Sequence, residues 1–182
     1  MEDYYQSFRV KLEGVSGECY RVATAAEGIE LATHVLQSKG VKSVALAGFF
    51  LSEAGGLASK LAQAGITVHT ENLRAAAPEA DAGITIGRWA IAETGTIVQT
   101  ATDVDERLCS TLPPLHLVLL STDALVPTLA EALKRIHSSP EIPGFVGFIT
   151  GPSRTSDIER VLTIGVHGPE QFIAVFVEGE VE

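Results

Sequence analysis

In Ile149-Thr150-Gly151-Pro152-Ser153-Arg154-Thr155-Ser156-Asp157-Ile158-Glu159, an apolar run passes through a glycine-proline turn into a stretch that opens on hydroxyls. The spacing predicts a strand over Phe145 to Thr150 and a helix over Thr155 to Leu162. A helix that starts at the carboxyl end of a strand in an open α/β sheet offers unpaired N–H groups and a positive dipole end to an anion. Arg154 would add a planar fork suited to a carboxylate or a phosphate. Gly151, Ser153, Arg154, Thr155 and Asp157 are therefore candidate ligand-binding residues. On the plainer reading Ser153 or Thr155 only caps the helix, while Asp157 complements the dipole or holds Arg154 by a salt bridge.

A second candidate is the bend Ala92-Glu93-Thr94-Gly95-Thr96, where a carboxylate and two hydroxyls bracket a glycine just before an apolar run. Such a bend lets backbone approach a ligand, with Thr94, Gly95 and Thr96 as contacts and Glu93 as an acid/base or nucleophile. It is equally a tight turn in which Gly95 takes a positive φ and the threonines satisfy local backbone groups. A third is Gly165-Val166-His167-Gly168-Pro169, in which His167 could carry a proton near neutral pH and Gly168 could touch a ligand, or the loop could merely turn. His34, His69, His116 and His137 show no metal spacing and read as structural. The acidic stretch Asp103-Val104-Asp105-Glu106-Arg107 lacks the ligand pattern of a calcium loop and reads as solvated. Trp89, beside Arg88, reads as packed into the core edge.

The elements that must position these residues alternate in type. Thr24-Ala25-Ala26-Glu27 has the form of a capping box, and apolar residues at helical spacing follow it up to Gly40. Ser43 to Ala47 is a short apolar run suited to a strand buried on both faces, which implies a parallel sheet. A helix from about Glu53 to Ala64, closed by Gly65, and the β-branched run Ile66 to Thr70 repeat the pattern. Further strands are expected at Ala82 to Ile86, Thr96 to Thr100, Leu115 to Leu120 and Phe172 to Val177, with a helix over Val126 to His137. The class is an α/β sandwich with a mostly parallel sheet, and the 182 residues suit a single domain over 1–182.

Composition excludes several functions. A net charge of -10 repels phosphate backbones, so nucleic acid is not an expected partner. No apolar stretch is long enough to span a bilayer and Met1-Glu2-Asp3-Tyr4-Tyr5 lacks an export signature, so the expected location is cytoplasmic. Only Cys19 and Cys109 occur, without metal-ligand spacing, so no metal site and no cofactor are expected in this chain.

The Ala92–Thr96, Gly151–Glu159 and Gly165–Pro169 motifs, in this order and joined by the Arg107 to His116 stretch with its Leu-Pro-Pro, resemble the lactate utilization protein C family, also called the LUD domain. The resemblance implies a three-layer α/β/α fold similar to the ribose-5-phosphate isomerase and CoA-transferase group and to 5-formyltetrahydrofolate cyclo-ligase. It also implies a part in oxidising L-lactate to pyruvate with two partner proteins whose cysteine-rich motifs carry the iron-sulfur clusters. The chain begins closer to its first predicted helix than many members do, which bears on how it would dock to partners. The expectation is thus a cofactor-free accessory subunit that binds a small carboxylate or other anion. The alternative is a stand-alone enzyme acting on a phosphorylated or CoA-linked metabolite, with Glu93 in the chemistry.

Overall fold

A computed structural model describes residues 2–47, 54–101, 103–140, 143–155, 163–165 and 167–179. The chain opens with α1 (Glu2–Glu13), where Tyr5, Phe8 and Leu12 fall on one face and are buried. β1 (Glu18–Val22) leads to α2 (Ala25–Ser38). The capping box forms as expected: the Thr24 hydroxyl accepts from the Glu27 N–H at 3.2 Å, and the Glu27 carboxylate accepts from the Ala23 N–H at 3.0 Å. β2 (Ser43–Leu46), α3 (Ala54–Gln63), β3 (Thr67–His69), the short α4 (Leu73–Ala76) and β4 (Ala82–Ile86) continue the alternation.

These strands join β7 (Leu115–Ser121) and β12 (Gln171–Val177) in a six-stranded sheet of order β1-β12-β7-β4-β2-β3. Every pairing in it is parallel. Its strands are apolar on both faces because both are covered. On one face Val44, Leu46, Ile84, Leu117, Leu119, Ile173 and Val175 pack against Val35 and Leu36 of α2 and Leu57 and Leu61 of α3. On the other, Val118, Leu120, Phe172, Ala174 and Phe176 pack against α1 and the inner face of a second sheet. The architecture is a three-layer α/β/α sandwich around a parallel sheet.

The second sheet consists of β5 (Trp89–Ile91), β6 (Thr96–Ala101), β8 (Leu125–Val126) and β9 (Phe145–Ile149), in the order β8-β5-β6-β9. β6 runs antiparallel to both β5 and β9. Helix α6 (Leu129–His137) covers its outer face, where Ala132 and Ile136 meet Trp89, Ile91 and Val126. Trp89 packs there as expected, with the Arg88 guanidinium 5.5 Å from its ring centroid.

Three expectations change. Val126 to His137 is not one helix: Leu125–Val126 is a strand and the helix starts at Leu129. The acidic stretch is no solvated loop but the start of α5 (Val104–Thr111), with the Asp103 carboxylate accepting from the Asp105 N–H at 3.1 Å. Arg154–Thr155 is a two-residue strand, β10, antiparallel to β11 (Thr163–Ile164), so no helix starts there. The remainder of that predicted helix, residues 156–162, lies outside the described residues.

A polar chain crosses between the two sheets. The buried Thr85 hydroxyl donates to Gln99 Oε1 at 2.9 Å and lies 2.7 Å from His116 Nε2, so its oxygen accepts from an Nε2–H tautomer. His116 is fully buried, and burial pushes its pKa down to about 3. The unfolded imidazole titrates near about 6.5, so protons favour the unfolded chain in the window between. Stability contributed by this group is complete above about pH 7 and falls on acidification toward about 3, by up to ~1.4 kcal/mol per pH unit. Urea unfolding at a series of pH values should therefore show a shallower acid slope for His116→Gln than for the parent; equal slopes would contradict this assignment.

Candidate functional site

Two of the sequence motifs meet at Ser153, and the third reaches the same turn through Thr150. The Ser153 N–H donates to the Pro169 carbonyl at 2.9 Å, and the Ser153 carbonyl accepts from the Gly165 N–H at 3.0 Å. Gly168 lies against its side chain, since a Cβ on Gly168 would sit 3.2 Å from the Ser153 Cβ. The turn that carries Ser153 follows β9, and β9 pairs with β6 so that Ile149 faces Ile97. This register sets Thr150 beside Thr96, with their hydroxyl oxygens 2.7 Å apart, and Thr94 donates to Thr96 at 2.7 Å. The Glu93–Thr96 bend and the Gly151–Arg154 turn are thus neighbours on one end of the second sheet.

That end lies at the amino ends of the parallel strands, not at their carboxyl ends. The Glu170 and Gln171 N–H groups, at the start of β12, both donate to the Pro114 carbonyl just before β7. The strand before Gly151 is an edge of the smaller, mixed sheet and pairs antiparallel with β6, so the rule for ligand crevices in open parallel sheets does not apply to it. The Ser153 N–H, expected to be free for an anion, is already bonded to protein.

The three positive-φ glycines of the site, Gly95, Gly151 and Gly165, all face protein, Gly165 against the Glu170 side chain. Gly95 has φ +66 and a Cβ there would come within 2.6 Å of the Leu12 backbone nitrogen; Gly151 has φ +73 and would meet a Val15 methyl at 2.9 Å. The backbone approach foreseen for a ligand at Gly95 is taken by the last turn of α1. That same segment reaches the guanidinium: Arg154 Nη2 donates to the Ser16 hydroxyl at 3.0 Å, while the side chain remains exposed.

Glu93 has a definite partner. Its Oε1 accepts from the Leu129 N–H, the first of α6, at 2.7 Å, while Thr128 caps the same helix by accepting from Glu131. A carboxylate at a helix start complements the dipole and satisfies an otherwise unpaired donor. His167 is exposed and lines a cleft of about 390 Å³ with Thr111, Pro114, Gly168 and Glu170. Thr155 pairs with Thr163 in the β10–β11 ladder. Asp157 lies outside the described residues.

Sequence reasoning passed over Ser16, Thr150 and Pro169, which hold the site together. Thr150 and Pro169 sat inside motifs without being singled out, and Ser16, which lies in none, acts through a contact distant in sequence. Among the described residues no group of three or more His, Cys, Asp or Glu could hold a metal ion. Cys19 and Cys109 are free and buried on separate elements, and burial pushes each thiol up to about 12.

The Glu93 contact has a measurable consequence. Glu93→Ala should lower the free energy of unfolding by ~0.5–2 kcal/mol in urea titrations, and Glu93→Gln, which keeps an acceptor oxygen, by less. A loss of zero for both would show that the carboxylate does not hold the helix.

The chain is 35% identical over 116 residues to a protein of Halalkalibacterium halodurans named Lactate utilization protein C, a match covering 60% of this chain and 50% of that protein. It is 26% identical over 166 residues to Escherichia coli YkgG, covering 86% of this chain and 72% of the relative. The chain spans about half the length of the first curated relatives it matches. A crystal structure of a DUF162 family protein from Deinococcus radiodurans superposes with a TM-score of 0.68 at 20% identity, covering 98% of each chain, which shows a shared fold. The LUD domain family matches residues 5–177, which takes in all three motifs, and the chain belongs to that family.

Proposed function

We propose that this chain serves lactate utilization as a component without redox chemistry of its own, binding a small carboxylate or related anion beside Arg154. The lactate role is supported by several bacterial relatives, 34–39% identical over about half of this chain, that are named Lactate utilization protein C. On this reading partner proteins hold the iron-sulfur clusters and carry the electrons, and the 182 residues act as one domain in the cytoplasm. Two free, buried cysteines suit a reducing compartment. No helix among the described residues is long and apolar enough to cross a membrane.

The observation that carries the anion site is the position of Arg154. Its exposed guanidinium, held by Ser16, extends from the turn that joins all three motifs. Lactate offers a carboxylate for the guanidinium fork and a hydroxyl for the exposed threonines Thr94 and Thr150. Ser153, Thr155 and Gly168 border the same junction. The bond from Glu93 to the Leu129 N–H weighs against the alternative of a stand-alone enzyme that uses this carboxylate as nucleophile.

Calorimetric titration with lactate, pyruvate and phosphate tests the anion site. Arg154→Ala should weaken binding of the preferred anion tenfold or more, the loss of one charge-assisted contact, while the thermal midpoint moves little because the side chain is exposed. Unchanged affinity in Arg154→Ala would remove the anion site. Pull-down of the parent chain from lactate-grown cells should recover an iron-containing partner, and its absence under active lactate oxidation would remove the accessory role.

A further inference from the structure

Lys11 brings a second positive charge to the junction that holds Arg154. α1 runs along the Glu93–Thr96 bend, with the Ser7 hydroxyl donating to the Ala92 carbonyl at 3.1 Å. One turn later, on the same face of the helix, Lys11 lies against Gly95, where an added Cβ would come within 2.8 Å of the Lys11 Cβ. Five residues further on, Ser16 holds the Arg154 guanidinium through a neutral hydroxyl. Both cationic side chains are exposed, and among the described residues neither forms an ion pair. The carboxylates nearest to them in sequence are engaged elsewhere: Glu13 pairs with Arg9, and Glu93 holds the first N–H of α6. A lysine in the last turn of α1 also complements the negative end of the helix dipole, a role that needs no ligand. The contact with Gly95 is what ties this lysine to the bend.

We infer that Lys11 and Arg154 bind the ligand together, and that the site selects a small dianion, a dicarboxylate or a phosphate, over a monocarboxylate. This rests on the anion site at Arg154 and adds the charge of its ligand. Threonine hydroxyls link the two cations. Thr94 and Thr96 flank the glycine that Lys11 touches, and Thr150 precedes the glycine that Val15 touches. Because Thr94 donates to Thr96, the Thr96 proton passes on to Thr150, and the Thr150 proton is left for a ligand. Arg154 meets one anionic oxygen pair with its planar fork, while Lys11, a point charge on a flexible four-carbon stem, meets the second charge. A monoanion satisfies one cation and leaves the other to water. A dianion gains both contacts, in a chain whose net charge of -10 otherwise repels it.

Calorimetric titration of the full chain with malonate, phosphate and lactate at about pH 8, where phosphate is mostly dianionic, reads the charge selectivity. The parent should bind malonate and phosphate about tenfold or more tightly than lactate. Lys11→Gln keeps most of the stem and loses the charge. It should weaken the dianions about tenfold while lactate moves less than about twofold, and Lys11→Arg should retain the selectivity. Lys11 is exposed, so these variants are expected to fold with thermal midpoints near that of the parent. Lactate bound as tightly as the dianions, dianion affinity unmoved in Lys11→Gln, or an equal loss for lactate and the dianions each overturns the inference. Arg154→Ala separates it from the reading beneath it. Dianion affinity lost in Arg154→Ala but kept in Lys11→Gln removes Lys11 and leaves the Arg154 site standing, whereas affinity unmoved in Arg154→Ala removes both.

Discussion

The site depends on how closely the last turn of α1 approaches two bends of the second sheet. Phe8 and Leu12 fasten α1 to the parallel sheet through Phe176 and its neighbours, with the Phe8 and Phe176 rings edge to face at 5.0 Å. Lys11 and Leu12 then press on Gly95, and Val15 presses on Gly151. A side chain at either glycine would force the helix away. The helix therefore acts as a spacer that fixes where the small sheet sits at the amino ends of the large one. Ser16, two residues beyond Gly14, is in place to hold Arg154 only because that spacing is kept.

Within that frame, most polar groups that looked available for chemistry are spoken for. Glu93 stabilises the start of α6, the Ser153 N–H completes a link to Pro169, and Thr96 sits between two other hydroxyls. What remains outward is one guanidinium, two threonine hydroxyls and a histidine over a shallow cleft.

The parallel sheet was legible in the sequence for a simple reason. β2, β4, β7 and β12 are predominantly apolar runs without strict alternation, as strands covered on both faces must be, and the Thr24 capping box marked α2 unambiguously. The second sheet was not legible as a sheet. β5 and β8 are three and two residues long, too short to display a period of two, and their pairing joins segments far apart in the chain. The α5 start was misread because its acidic residues were weighed as solvated charge, when Asp103 as cap and Asp105 and Glu106 in the first turn are what a helix dipole selects. Tyr5, Phe8 and Leu12 at helical spacing did announce α1 and could have been read. The helix expected from Thr155 does not begin there, because Thr155 pairs with Thr163, eight residues away, and that pairing overrides local propensity.

The two sheets are also joined away from the site, and this bears on how a ligand would be met. Thr85 and His116 of the large sheet and Gln99 of the small one form a buried hydrogen-bonded chain. Sliding the small sheet along the large one would strand three polar groups without water, at a cost of about 1–3 kcal/mol for each left unpaired. With α1 fixing one end and this chain fixing the middle, the small sheet has no low-cost direction in which to move. The junction of the three motifs is accordingly preformed, and an anion arriving at Arg154 would find its partners already in place rather than drawing them together.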